Sequence, residues 1–135
     1  MGSLNPAEKV PLGTGGVAFM PHVAPFFQGI HLTVTGTLGG SHPISPSEIQ
    51  AAYTDFYKGE RLISVLPLPE MPDVGRHGSL NQGVTLGGWT YDPPTRRLAL
   101  VSCIDNLLKG AATQALQNIN IALGLPEYEG IPTGK

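Results

Sequence analysis

The sequence is poor in cysteine and in charged residues. One of its 135 residues, Cys103, is a cysteine, so no disulfide can form within the chain and a reducing compartment is expected. Charged residues make up 13% at a net charge of −2, and Arg96-Arg97 is the densest basic site. Nucleic acids and anionic membranes attract clusters of Lys and Arg, so neither is an expected partner. No apolar run approaches the roughly 20 residues that a membrane-spanning helix needs.

Sequence patterns for metal binding, phosphate binding and nucleophilic catalysis are also lacking. A glycine-rich stretch at residues 13–16 follows no predicted strand, so it does not indicate a dinucleotide-binding loop. No second cysteine is present to complete a metal site, and the histidines do not have the spacing of metal ligands: His22, His31, His42 and His77. We therefore expect no metal site, and no known catalytic motif is visible in the sequence.

What is present fits one domain with many turns. Apolar residues make up 41%, and the 18 glycines and 13 prolines suit frequent breaks between short elements. Residues 1–16 are predicted to be a disordered lead-in without a visible targeting presequence, and residues 17–132 are predicted to form the domain.

The first predicted helix runs from about Pro46 to Lys58. Ser45 and Glu48 form a capping-box pattern around Pro46, which suits the first helical position. Gly59 supplies a stop. Apolar residues at helical spacing predict one buried stripe, made of Ile49, Ala52, Tyr53, Phe56 and Tyr57.

A second helix is predicted from about Asn106 to Leu123, with Asp105 as its N-cap. Gly124 and Pro126 end it. Its apolar stripe is rich in alanine, which allows a neighbour to approach closely: Leu108, Ala112, Ala115, Leu116, Ile119, Ala122 and Leu123.

Four strands are predicted, at Gly29–Leu38, Arg61–Leu66, Gly83–Tyr91 and Arg97–Ile104, with the last two joined as a hairpin through residues 92–96. This order of elements predicts an α+β fold, a mainly antiparallel sheet with helices on one face. In the first strand apolar residues alternate with threonines, which predicts one face on a core and one polar face. The polar face is either solvated or covered by a second chain or domain.

Three places could carry chemistry. Cys103 lies in a strand with nothing beside it to lower its pKa, so a buried structural thiol is expected. His22 stands between two prolines and is either a rigidly held functional group or a surface-loop histidine. At residues 105–112 a capped helix start carries Asp105, Asn106 and Lys109, and it is either an anion site or an ordinary amphipathic helix.

Residues 105–112, DNLLKGAA, resemble the D-N-L-x-K-G-A-A signature near the end of the semialdehyde dehydrogenase superfamily. Residues 114–120 and 124–127 are similar to its N-acetyl-γ-glutamyl-phosphate reductase branch. Upstream, residues 19–23 with Gly29-Ile30 are similar to that branch's F-x-P-H-(L/V)…R-G-I stretch. Gln28 stands where many members have arginine, and fungal members accept glutamine there. The resemblance covers roughly residues 17–132 and is fungal in type.

The resemblance implies reduction of N-acetylglutamyl 5-phosphate by NADPH in arginine biosynthesis. In this family a cysteine of the nucleotide-binding domain attacks the acyl phosphate, and a histidine in an H-R-H-x-P-E-like segment is the acid/base. Neither segment matches this chain, so the nucleotide-binding domain is expected to be absent and the chain to be inactive and unable to bind NADP alone. With the missing domain present, Asp105, Asn106 and Lys109 would lie near NADP, and His22 near the substrate.

The resemblance also implies partners and a compartment. A homodimer, or pairing with an intact reductase, is expected, and the alanine-rich stripe should be exposed where the nucleotide-binding domain would pack. Fungal members are mitochondrial; without a visible presequence the cytoplasm is the alternative. A second interpretation is a non-catalytic module that dimerises with itself or with an intact reductase.

Overall fold

The computed structural model describes residues 19–40 and 43–133. The predicted lead-in at residues 1–16 lies outside them. In chain order, the elements are β1 (Ile30–Thr37), α1 (Pro46–Phe56), β2 (Ile63–Val65), a first π-helical turn (Val74–Gly78), β3 (Val84–Asp92), β4 (Arg97–Ile104), a second π-helical turn (Leu108–Ala112) and α2 (Thr113–Ala122). None of the helices in these ranges is long and apolar enough to cross a membrane.

The four strands form one sheet in the order β1-β4-β3-β2. The pairs β1–β4 and β4–β3 are antiparallel, and the short strand β2 pairs with β3 in parallel. The register places Ile30 beside Ile104, Ile104 beside Val84, and Val84 beside Ile63. The predicted α+β class, the four strands and the hairpin of β3 and β4 are confirmed.

Helix α1 covers one face of β3 and β2. Its capping box forms as predicted, with the Glu48 amide donating to Ser45 Oγ at 3.2 Å and the Ser45 amide donating to Glu48 Oε2 at 2.8 Å. Ile49 packs in a core cluster with Leu86, Trp89 and Leu100.

The buried stripe of α1 is narrower than predicted. Tyr53 lies on the core, with its ring centroid 4.8 Å from that of Trp89, and Tyr57 packs beside it. Ala52 is exposed and Phe56 is 67% exposed, so including these two in the stripe was wrong. The helix rests on two strands, one of them only three residues long, and they are too narrow to cover a five-residue stripe.

The opposite face of the sheet is covered by the irregular segment 66–80, which periodicity did not predict. Pro72 is buried against Gly87, where a Cβ would come within 2.9 Å of the proline ring. Met71 lies over Gly88, whose φ of +65° also favours glycine. Gly78 approaches Cys103, and the Cys103 side chain has no exposed surface.

Strand β1 does not lie on a core within the described residues, and the prediction that one of its faces does so was wrong. All eight of its residues are exposed. Ile30, Leu32 and Val34 share one face and are each 45–46% exposed. The physical reason is its position at the edge of the sheet, because α1 covers β2 and β3 while segment 66–80 covers mainly β3 and β4. The threonine face of β1 is exposed as well.

Helix α2 is shorter than predicted, because the second π-helical turn replaces its first turns. Its buried residues are Thr113 and Asn120. The Asn120 side-chain amide donates to the carbonyls of Glu127 at 3.0 Å and Glu129 at 2.9 Å, so the polar side of α2 holds residues 124–131.

The alanine-rich stripe of α2 is largely exposed, as the resemblance predicted. Ile119 is 53% and Leu123 is 69% exposed, and three alanines of the stripe are exposed beside them: Ala112, Ala115 and Ala122. Leu108 and Leu116 are half-buried.

Candidate functional site

The Asp105 carboxylate lies at the end of β4 and has no exposed surface. Its Oδ1 accepts hydrogen bonds from the amides of Leu107 at 2.8 Å and Leu108 at 2.9 Å. Its Oδ2 accepts from Gln28 Nε2 at 2.6 Å and from the Leu80 amide at 2.7 Å. Asp105 therefore caps the turn that leads into the second π-helical turn, not α2 itself, and ties three distant segments together.

These donors control the ionisation of Asp105. Burial alone would raise the pKa of this carboxyl group. The hydrogen bonds from Leu108, Gln28, Leu107 and Leu80 outweigh that effect and hold the pKa of Asp105 below its ordinary value. Asp105 is therefore a buried anion with hydrogen bonds to both oxygens, and these bonds hold the segments around it in place.

The two regions that the sequence singled out meet here. Gln28 bonds to Asp105, and the Gly29 amide donates to Asn106 Oδ1 at 2.9 Å; each pair is separated by 77 positions in the chain. Gly29 has a φ of +117°, and a Cβ there would come within 2.7 Å of Val74. The close approach of the first π-helical turn thus requires glycine at this junction.

His22 lies on a different part of the same region. It lines a cavity of about 370 Å³ together with His31, Phe26, Gly29 and Val74. Gly29 joins this cavity to the Asp105 network, although His22 itself is exposed and bonds to neither Asp105 nor Asn106. His31 was not singled out from the sequence as a lining residue. Its polar place between Ile30 and Leu32 in the first strand is the sequence signal that could have indicated it.

Lys109 points away from Asp105. Its Nζ donates to Gln117 Oε1 at 2.6 Å, and Gln117 in turn donates to Glu127. Burial lowers the pKa of Lys109, and the charge of Glu127 acts in the opposite direction. The structure therefore brings Asp105 and Asn106 together but places the Lys109 ammonium along α2.

Leu80 is a part of the site that sequence reasoning missed. It adopts a φ of +58°, which is unusual for leucine, and its side chain is 79% exposed. The Asp105 carboxylate holds its amide. The next residue, Asn81, donates to the His77 carbonyl at 2.8 Å and accepts from the Gly83 amide at 2.9 Å. Such backbone strain persists only where the surroundings fix it.

Cys103 is buried, as predicted. Burial, followed by the negative charge of Asp73, raises the pKa of its thiol to about 11. A thiol of this kind is a poor nucleophile. No group of three or more potential metal ligands occurs within residues 19–40 and 43–133.

The mixed four-stranded sheet, with one helix on a face and an exposed edge strand, has a counterpart among solved structures. Solved aspartate semialdehyde dehydrogenase II from Vibrio cholerae superposes on 74% of this chain, which covers 28% of that chain, with a TM-score of 0.59 at 23% identity. The family model described as semialdehyde dehydrogenase, dimerisation domain, matches residues 7–106. The chain belongs to this family.

Two relatives show which branch of the family the chain resembles. Protein arg-6, mitochondrial, of Neurospora crassa is 50% identical over 117 residues, which is 87% of this chain and 13% of the relative. The N-acetyl-gamma-glutamyl-phosphate reductase of Xanthomonas oryzae pv. oryzae is 49% identical over 115 residues, which is 85% of this chain and 35% of that enzyme. The resemblance to this reductase branch is confirmed, and the chain spans about an eighth to a third of the length of these relatives.

Proposed function

We propose that this chain is the dimerisation and substrate half of an NADP-dependent N-acetyl-γ-glutamyl-phosphate reductase, which forms N-acetylglutamate 5-semialdehyde in arginine biosynthesis. The single observation that carries the proposal is its 49% identity to a reductase of that name across 85% of the chain. A mitochondrial location is part of the proposal, because the names of the Neurospora crassa and Candida albicans relatives include that compartment.

The uncovered apolar side of β1 is the proposed surface for a second copy. Ile30, Leu32 and Val34 form a row that nothing in the described residues covers. β1 is also an edge strand, so the backbone groups on its outer side pair with no other strand in the described residues. An exposed edge strand of this kind favours pairing with another chain.

The exposed stripe of α2 is the proposed surface for the nucleotide-binding domain. Alanine side chains let two backbones approach closely, and Ile119 and Leu123 supply apolar area that is otherwise in contact with water. This surface is distinct from β1, so the two contacts can form together.

Around Asp105 the residues have different proposed roles. Asn106 is exposed, and its amide nitrogen remains available because Oδ1 accepts from Gly29. Lys109, which donates to the neutral amide of Gln117, is proposed to contact an anionic group of NADP. Asp105 is buried with both oxygens occupied, so it positions these residues and does not itself contact NADP. His22 is proposed to lie near the substrate.

NADPH would supply the hydride when bound. The residues of this chain are proposed to bind and orient NADPH and the substrate. Cys103, the single cysteine of the sequence, is buried and has a raised pKa, so it is unsuited to attack an acyl phosphate. The thioester-forming thiol must then be supplied by the nucleotide-binding domain, and this chain alone is proposed to be inactive.

An activity assay tests this proposal. Purified chain is mixed with NADPH and N-acetylglutamyl 5-phosphate, with the Xanthomonas oryzae reductase as the positive control. The expected result is no oxidation of NADPH above the rate without protein. Turnover by the purified chain would overturn the proposal of inactivity, and the Cys103→Ser variant would show whether that turnover depends on the thiol.

A second candidate function is that of a non-catalytic module that pairs with itself or with an intact reductase. The exposure of all eight β1 residues favours it. Sedimentation of the chain mixed with intact reductase tests it. A chain that stays monomeric alone and does not join the reductase would exclude this function.

A further inference from the structure

A polar cleft of about 240 Å³ lies beside β2, at the edge of the sheet away from β1. The exposed side chain of Leu80 forms an apolar wall, and the polar lining residues are Arg61, Ser64, Asn81, Gln82 and Thr133. No Asp or Glu is among the described residues that line it. Among these lining residues Arg61 is the one cation, and none carries a carboxylate; the Glu60 carboxylate lies outside the cleft, bonded to Tyr128.

Arg61 is held in place from two sides. One terminal nitrogen of its guanidinium donates to the Thr133 hydroxyl. The guanidinium carbon also lies 5.1 Å from the centroid of the Tyr128 ring, and Tyr128 is itself fixed by a 3.2 Å hydrogen bond to Glu60. A planar guanidinium fixed in this way loses little further freedom when it binds a planar or tetrahedral anion.

Two further donors line the cleft without a partner of their own in the described part of the chain. The Ser64 hydroxyl makes no hydrogen bond there. Gln82 accepts the Thr113 hydroxyl with its oxygen, which orients the amide and leaves Nε2 as a donor. Three unlike side chains thus place available hydrogen-bond donors around one small volume.

The backbone at this cleft is also closely packed, and at Leu80 it is strained. Gly83 packs so closely on Leu62 that a Cβ would come within 2.4 Å of the Leu62 carbonyl oxygen. Leu80 is kept at a positive φ by the Asp105 carboxylate. Strain that is fixed by buried contacts is concentrated at binding sites.

We infer that this cleft binds a small oxyanion, a carboxylate or a phosphate group, through Arg61, Ser64 and Gln82, with Leu80 against the apolar part of the ligand. Arg61 provides the charge and a fork of donors that matches such groups. The site does not depend on the proposed dimerisation, because it lies at the other edge of the sheet.

Amide chemical shifts of the ¹⁵N-labelled full chain test the inference, with inorganic phosphate and acetate as separate titrants against chloride at equal ionic strength. Saturable shifts of Ser64, Gln82 and Gly83 are expected with at least one of them. Saturation by phosphate alone assigns the site to phosphate groups, and saturation by acetate alone assigns it to carboxylates.

Two variants and one control make the test specific. Arg61→Gln should weaken binding by roughly tenfold or more, because it removes the charge and its fork of donors, and Ser64→Ala by a few-fold, because it removes one hydroxyl donor. Arg97→Gln is the control, since this exposed arginine lies at the far end of β4 and should leave the affinity unchanged. Unshifted amides elsewhere in the spectrum confirm that each variant is folded. The inference is overturned if neither anion saturates the site, or if Arg61→Gln and Arg97→Gln bind equally well.

Discussion

Single side chains determine which segments of this protein are held together where those side chains are buried and polar. Asp105 has no exposed surface, yet four donors satisfy it, and they come from three separate segments of the chain. Gln28 supplies one of them through its side-chain amide. A neutral amide is sufficient there because the backbone provides the other three donors.

Replacing Asp105 by asparagine is expected to destabilise the chain by about 3 kcal/mol at neutral pH, because an amide group would face the donors of Gln28 and Leu80. Denaturant unfolding measures this change. Asp55→Asn, at an exposed position of α1, is the matched control and should change stability little.

The same substitution has a defined pH dependence. The folded pKa of Asp105 is lower than that of the unfolded chain, about 3.9, so its stabilisation is fully present above that pH and is lost as pH falls through the folded value. The stability gap between wild type and Asp105→Asn should therefore narrow below a pH of about 4. A gap that stays constant through this range would show that the charge of Asp105 contributes nothing.

Cys103 should be protected from alkylation in the folded protein, because it is buried and its pKa is raised to about 11. Iodoacetamide labelling at neutral pH, followed by mass spectrometry, is expected to be slow in buffer and fast in denaturant. Rapid labelling without denaturant would mean that segment 66–80 does not cover the thiol.

At the scale of elements, the two helices differ in what they bury. Helix α1 buries Ile49 and two tyrosines on the sheet, which is the ordinary use of an amphipathic helix. Helix α2 does the reverse, because it buries Thr113 and Asn120 and exposes its alanines. This arrangement agrees with the proposal that another surface covers the alanines.

Asn120→Ala should release the segment that α2 holds. Two hydrogen bonds to the carbonyls of Glu127 and Glu129 would be lost, at a cost of about 2 kcal/mol. Hydrogen exchange of the amides in residues 126–131 should become faster. Asn118→Ala, on the exposed side of the same helix, is the control. Equal exchange rates in both variants would argue against a structural role for Asn120.

Local patterns predicted most of the elements, and long-range contacts account for what they missed. The capping pattern around Ser45 and the alternation in the strands involve residues close together in the sequence, so both could be recognised there. The position of segment 66–80 could not be predicted, because the segment has no periodicity. The bond between Gln28 and Asp105 joins residues 77 positions apart, so both could be singled out but not paired.

At the scale of the whole molecule, the chain has two apolar surfaces that its own described residues do not cover, on β1 and on α2. The alternation in β1 correctly showed an apolar side, but a pattern cannot tell which chain covers it. In the proposed assembly a second copy covers β1, and a nucleotide-binding domain covers α2.

Sedimentation velocity of the purified chain over a range of concentrations, with two variants, tests the proposed assembly most directly. Val34→Lys places a charge in the apolar row of β1, near the centre of the strand, where an edge strand tolerates lysine, while Leu123→Lys places one in the exposed stripe of α2. The account predicts a dimer for the wild type and for Leu123→Lys, and a folded monomer for Val34→Lys. A wild-type monomer at every concentration, or a dimer that survives Val34→Lys but is lost in Leu123→Lys, would contradict it.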